Sequence, residues 1–213
     1  GINIDSNSFT NVGYSGIYLQ RTQSPIVTYN TIEAGSRGIQ LISNENDLYL
    51  WGNKLRLENG TGIYLVASEA TAEKRGTIAN NFITVGGVGD ANGINLQTSD
   101  YLNIYHNSIN ITSTSASGGR AFYTSSSDHS AVFNNILSNK GGGYAFYNYT
   151  STIDSSNFND LYTTGVNLAH AASTNYASLS AYLAGTGYDL NSVSTDPGFV
   201  SETDLHLADD TLA

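Results

Sequence analysis

A short pattern, asparagine then any residue then a large apolar one, recurs along the chain. Its copies are Asn7-Ser8-Phe9, Asn30-Thr31-Ile32, Asn53-Lys54-Leu55, Asn80-Asn81-Phe82, Asn107-Ser108-Ile109 and Asn134-Asn135-Ile136, with Ser156-Asn157-Phe158 as a seventh. A second pattern keeps step with it: Gly16-Ile17-Tyr18-Leu19, Gly38-Ile39-Gln40-Leu41, Gly62-Ile63-Tyr64-Leu65, Gly93-Ile94-Asn95-Leu96 and Gly165-Val166-Asn167-Leu168. Ala121-Phe122-Tyr123 and Ala145-Phe146-Tyr147 fill the two intervening places. A repeat this short cannot bury an apolar face alone and does so by stacking on its neighbours. Each repeat therefore reads as one coil of short strands, every strand pairing with its counterparts in the coils above and below. Strand alternation turns Ile17 and Leu19 inward and Tyr18 outward. About seven coils at the strand spacing of about 4.8 Å make a rod of roughly 34 Å.

Composition supports an all-β chain. Polarity comes from Asn, Ser, Thr and Tyr with 22 Gly, and only 12% of residues are charged, a mixture suited to strands and tight turns. There is no Cys, which excludes disulfides, thiolate metal sites and a thiol nucleophile. No apolar run approaches the roughly 20 residues that cross a bilayer, so membrane insertion is not expected. The net charge of −10 excludes a nucleic-acid partner, which needs a basic footprint. Residues 141–213 carry eight acids and no Lys or Arg, read as a solvated surface. The chain opens on Gly1-Ile2-Asn3, inside a repeat, and contains no Met. We expect a monomer that is part of a larger, processed polypeptide.

The recurring Asn suits a sharp turn, because it tolerates left-handed backbone and its amide both donates and accepts. Stacked copies predict an internal amide ladder whose role is structural. A solenoid end must be covered, and residues 173–184 predict a helical lid capped by Ser173 or Thr174, carrying Tyr176, Leu179 and Leu183, and stopping at Gly185. We expect coils over residues 1–170 and a capping segment of the same domain over 171–213.

The repeats from Ile2 to Leu168 resemble the right-handed parallel β-helix repeats of the pectate-lyase-like superfamily. Ser178–Tyr182, Thr186–Ser192, Asp196-Pro197-Gly198-Phe199-Val200 and Asp204-Leu205-His206-Leu207 resemble the closing region of bacterial secreted members. The resemblance implies a right-handed parallel β-helix with a short helix-containing cap, located outside the cell or on its surface. In carbohydrate-active relatives the substrate groove follows an exposed strand face, so the resemblance implies a polysaccharide partner.

The outward position of the Gly-Ile-x-Leu strands reads Tyr18, Gln40, Tyr64, Asn95, Tyr123, Tyr147 and Asn167, our candidate substrate-binding row. Aromatic faces beside amides suit sugar rings, with their apolar C–H faces and many hydroxyls. The resemblance implies a base of Arg or Lys with carboxylates and calcium for a lyase acting on an acidic glycan, or clustered Asp pairs for a hydrolase. Neither set stands out in the sequence, so no catalytic residue is assigned and the chain is read as a binding or adhesin-like scaffold. Glu69, Glu73, Lys74 and Arg75 form an inserted charged loop, and Arg37, Arg120 and Lys140 are isolated cations. No cofactor or metal is assigned. Asn44-Glu45-Asn46-Asp47 offers oxygen atoms of the kind calcium takes without the spacing of a calcium loop, and Gly86–Asp90 reads as a flexible turn.

Overall fold

The computed structural model describes residues 1–208. The last five residues of the expected capping segment lie outside the described residues. Each coil contributes one strand to each of three parallel sheets, and seven coils are stacked in sequence order. The first sheet runs from Asn3–Asp5 through Tyr49–Trp51 and Leu102–Tyr105 to Ile153–Asn157. The second runs from Ser8–Val12 to Asp160–Thr163, and the third from Ser15–Gln20 to Ala169–Ala171. An antiparallel strand, Thr174–Tyr176, follows Ala169–Ala171 and ends the third sheet.

The inward residues make one continuous core of Ile, Leu, Val, Phe and Ala. Ile17 and Leu19 are inside and Tyr18 is half exposed, as the alternation requires. Phe122 and Phe146 are fully buried with ring centroids 4.9 Å apart, which keeps Tyr123 and Tyr147 outward. The glycine of the second motif has a steric cause. A Cβ on Gly62 would lie 2.3 Å from Cγ2 of Ile83, and one on Gly93 would lie 2.3 Å from Cγ2 of Ile109. At Gly38 the tightest contact is instead the Gly62 carbonyl oxygen, 2.5 Å from where a Cβ would stand. One coil beyond Ile109 its place is taken by Leu137 and then Leu161, and there Ala121 and Ala145 replace Gly.

The amide ladder runs Asn7, Asn30, Asn53, Asn81, Asn107, Asn135 and Asn159, each Nδ2 donating to the next Oδ1 at 2.9–3.1 Å. Three expected rungs are thereby corrected: Asn80 and Asn134 give way to Asn81 and Asn135, and Ser156 to Asn159. The reason is that two adjacent residues divide the work. The residue before each rung takes the left-handed turn: Ser6, Tyr29, Gly52, Asn80, His106, Asn134 and Phe158 all have φ between 53° and 68°. A second, shorter ladder of Asn44, Ser68, Ser99, Ser127 and Ser151 lines the corner after the third sheet.

Beyond the last coil the helix spans Leu179–Thr186. Its N-cap is Ser178 and its left-handed C-cap is Gly187, so the expected caps at Ser173 or Thr174 and the stop at Gly185 are displaced. Ala172 and Ser173 instead form the turn of the terminal hairpin with φ of 50° and 64°. Gly185 lies against the Tyr176 ring, where a Cβ would stand 2.4 Å from a ring carbon. Tyr182 is fully buried and continues the aromatic column, 5.8 Å from Phe146. The chain then does more than close the end. Val193 bridges Asp160, and residues 196–208 fold back along the outer face of the second sheet.

Candidate functional site

The third sheet presents two outward rows. Pairing aligns Tyr18 with Gln40, Gln40 with Tyr64, Tyr64 with Asn95, Asn95 with Tyr123, and Tyr123 with Tyr147. The partner of Tyr147 is His170, and Asn167 is not in the row. This corrects the last member of the expected row: Gly165-Val166-Asn167-Leu168 imitates the motif, but Gly165 packs on the carbonyl of Gly142 and the segment is a turn. Gln40 and Asn95 are largely buried rather than exposed, because they lie between the longer tyrosines of adjacent coils.

The second row is the residue preceding each glycine or alanine: Ser15, Arg37, Thr61, Asn92, Arg120 and Tyr144. Reading that position through the repeats reveals the row in the sequence itself. Arg37 lies over the Tyr64 ring at 4.5 Å and donates from Nη1 to Thr61 Oγ1 at 2.8 Å. Arg120 lies over Tyr123 and Tyr147 at 5.1 and 4.8 Å and donates to the Ser117 carbonyl at 3.0 Å.

The far end of this face is an aromatic column. Tyr123 stacks on Tyr147 at 5.6 Å, and Tyr147 on His170 at 4.2 Å with ring planes 10° apart. Tyr144 meets Tyr147 edge-on at 4.9 Å. Asn175 Oδ1 contacts His170 Nδ1 at 2.7 Å and accepts from the Tyr144 hydroxyl at 3.3 Å, fixing both rings. Burial raises the Tyr147 phenol above its ordinary range, an effect Arg120 opposes. Arg37 Nε, Asn92 Oδ1, Asn95 Oδ1, Arg120 Nε and His170 Nε2 are buried on this face without a partner among the described residues. Such atoms cost free energy unless something bonds them.

The other sequence candidates lie elsewhere. Arg75 is not a freely solvated loop charge. Its guanidinium bonds Asn103 Oδ1 at 2.8 Å, Asp154 Oδ2 at 3.1 Å and the carbonyls of Leu102 and His129. Asp154 also holds His129 Nδ1 at 3.0 Å, and His129 stacks on Tyr101 at 4.5 Å. These contacts clasp successive coils at the corner before the first sheet. Glu73 and Lys74 are exposed. Lys140 pairs with Asp196 at 2.8 Å and holds the returning tail, lowering the Asp196 carboxyl below its usual range. Asn44 is a ladder rung and Asp47 accepts from Ser24 Oγ at 2.7 Å, so this segment is engaged in coil contacts. Among the described residues no group of three or more His, Asp and Glu side chains is set to hold a metal.

The tail and the second sheet enclose a groove of about 770 Å³ lined by Glu33, Arg56, Glu58, Thr84, Thr112 and Glu202. On the first sheet, Tyr49 and Trp51 stack at 5.5 Å and Trp51 meets Tyr105 edge-on at 6.2 Å. Among the described residues no helix is long and apolar enough to cross a membrane. A family model described as a right handed beta helix region matches residues 1–82. Neither the curated proteins nor the solved structures yield a match. Beyond residue 82 the three-sheet coil continues without change of plan to Ala171.

Proposed function

We propose that this chain, a right-handed parallel β-helix of the architecture whose usual home is the pectate-lyase-like superfamily, is an extracellular scaffold module that binds polysaccharide along the outer face of its third sheet. The observation that carries this reading is the aromatic column Tyr123, Tyr147 and His170, held in register by parallel pairing and by Asn175. The rings face one another along the rod, so a ligand meets their edges and the hydroxyls of Tyr123 and Tyr147, which suit sugar hydroxyls, and rings packed in this way lose little entropy on binding. The coil repeat favours a linear ligand: a polymer lying along the rod meets equivalent positions at every step of about 4.8 Å.

The site is read as non-catalytic. The rows of the third sheet contain no carboxylate pair to act as acid and base, and the Asp154–His129 contact lies at another corner. A glycan array followed by titration calorimetry tests the proposal. Binding by the parent chain should weaken about tenfold in Tyr147→Ala, a loss of the order expected for one hydrogen bond with the ring contacts beside it. Release of unsaturated, ultraviolet-absorbing sugars from a uronate polymer would replace the binding reading with a lyase.

A further inference from the structure

We infer that the polymer taken by the third face is acidic but sparsely charged, with anionic groups about three coils apart, roughly 14 Å at strand spacing, and neutral hydroxylated units between them. This rests on the polysaccharide-binding reading of that face. Charge segregation carries it. The chain has 18 acids against 8 Lys and Arg, yet the strands of the third sheet contain no Asp, Glu or Lys. Their cationic side chains are Arg37 and Arg120, with the imidazole of His170 at the end. The strands of the other two sheets do carry acids, at Asp5, Glu33, Asp154 and Asp160.

Neither guanidinium pairs with a carboxylate among the described residues. Each lies over a tyrosine ring and bonds the chain through one terminal nitrogen, leaving the other terminal nitrogen without a partner among the described residues. A planar guanidinium fixed in this way is preorganised for a carboxylate or sulfate.

Spacing sets the charge density. Arg37 and Arg120 occupy one row, separated by Thr61 and Asn92 in the two coils between them. In those coils the neighbouring row offers Tyr64 and Asn95. The amides of Asn92 and Asn95 carry no charge; the Oδ1 of each is buried, and the Nδ2 groups are the donors left to a ligand. Hydroxyl oxygens accept from such donors. A polymer charged at every unit would instead set unneutralised anions over both middle coils, at a desolvation cost.

The test uses linear polyuronates in three forms: fully charged, with two carboxylates in three esterified, and fully esterified. Calorimetry should show the sparsely charged form binding at least as tightly as the fully charged one and about tenfold more tightly than the neutral one. Arg37→Gln and Arg120→Gln should each weaken that binding about tenfold and reduce its salt dependence, while the Lys variants retain the salt dependence. Thermal unfolding of each variant checks that the fold is intact. Equal affinity for neutral and sparse forms, or Gln variants that bind as the parent does, overturns the inference; the polysaccharide reading then stands if Tyr147→Ala still weakens binding. Tightest binding to the fully charged form overturns the spacing. Absence of binding to every form overturns the inference, and silence on the wider glycan array overturns the functional reading beneath it.

Discussion

The outer faces of the second and third sheets are built on the same coils and meet opposite fates. The second face mixes signs, with Glu33, Lys54, Arg56 and Asp160 on its strands, and the protein covers part of it with its own tail. Glu202 brings its carbonyl to Thr84 Oγ1 and Asn110 Nδ2, Phe82 meets His206 edge-on at 5.0 Å, and Leu205 is buried. The third face carries cations without acids, aromatic rings in register and unpartnered buried amides, and no segment of the described chain lies across it. A solenoid offers equivalent backbone platforms on every side. Whether a face is internal surface or a ligand platform is decided by side-chain rows, and a face that satisfies its own charges leaves little for a partner.

Four experiments sharpen this contrast. The largest effect is expected where both faces depend on one structure. Asn107→Leu removes an amide bonded to Asn81, Asn135 and two carbonyls, so both faces should be lost together, at a cost of about 4 kcal/mol in denaturant unfolding. Separate unfolding of the faces would break the picture of a single ladder supporting both.

Leu205→Ala should act on the second face alone. A loss of about 2 kcal/mol is expected, with faster amide exchange near Thr84 and Asn110 and no change around Tyr123. If the third face loosens equally, the tail is not a local cover.

Asp160 gives a pH signature. Burial raises its carboxyl to about 6, against the Thr195 N–H that lowers it. The folded state therefore holds a proton that the unfolded chain has released, and stability falls as pH rises from about 4 through about 6. Asp160→Asn keeps an acceptor for Thr195 and should raise stability by about 2 kcal/mol above pH 6 while matching the parent near pH 4. An unchanged pH profile would remove Asp160 as its cause.

Tyr147→Ala should have the smallest effect on stability, about 1 kcal/mol from lost ring contacts, alongside the loss of ligand affinity. A destabilisation as large as that of Asn107→Leu would make the column a structural element rather than a platform.

The coil architecture was legible from two phased motifs because inward side chains and corner amides recur at equivalent places. Legibility failed at doublets and at the end of the stack. Asn80-Asn81 and Asn134-Asn135 each contain a turn residue and a rung, and both roles suit Asn. Only pairing with the coils on either side tells them apart. Asn167 stood in for His170 because the terminal turn repeats the motif's letters without its strand. Tyr144, Arg37 and Arg120 were visible in the repeat position before the glycine, but their convergence on the tyrosines depends on side-chain direction across coils that are distant in sequence.

The repeat period, the alternation of apolar and polar residues and the recurrence of Asn determine by themselves that this chain stacks into a parallel β-solenoid, since no other arrangement buries every repeat's apolar face at once. Tertiary structure alone decides which rung follows which, that the tail returns along the second sheet, and that His170 completes the third face. These are matters of register and of long-range docking, and a shift of one residue in a strand exchanges its inner and outer faces without altering the motif.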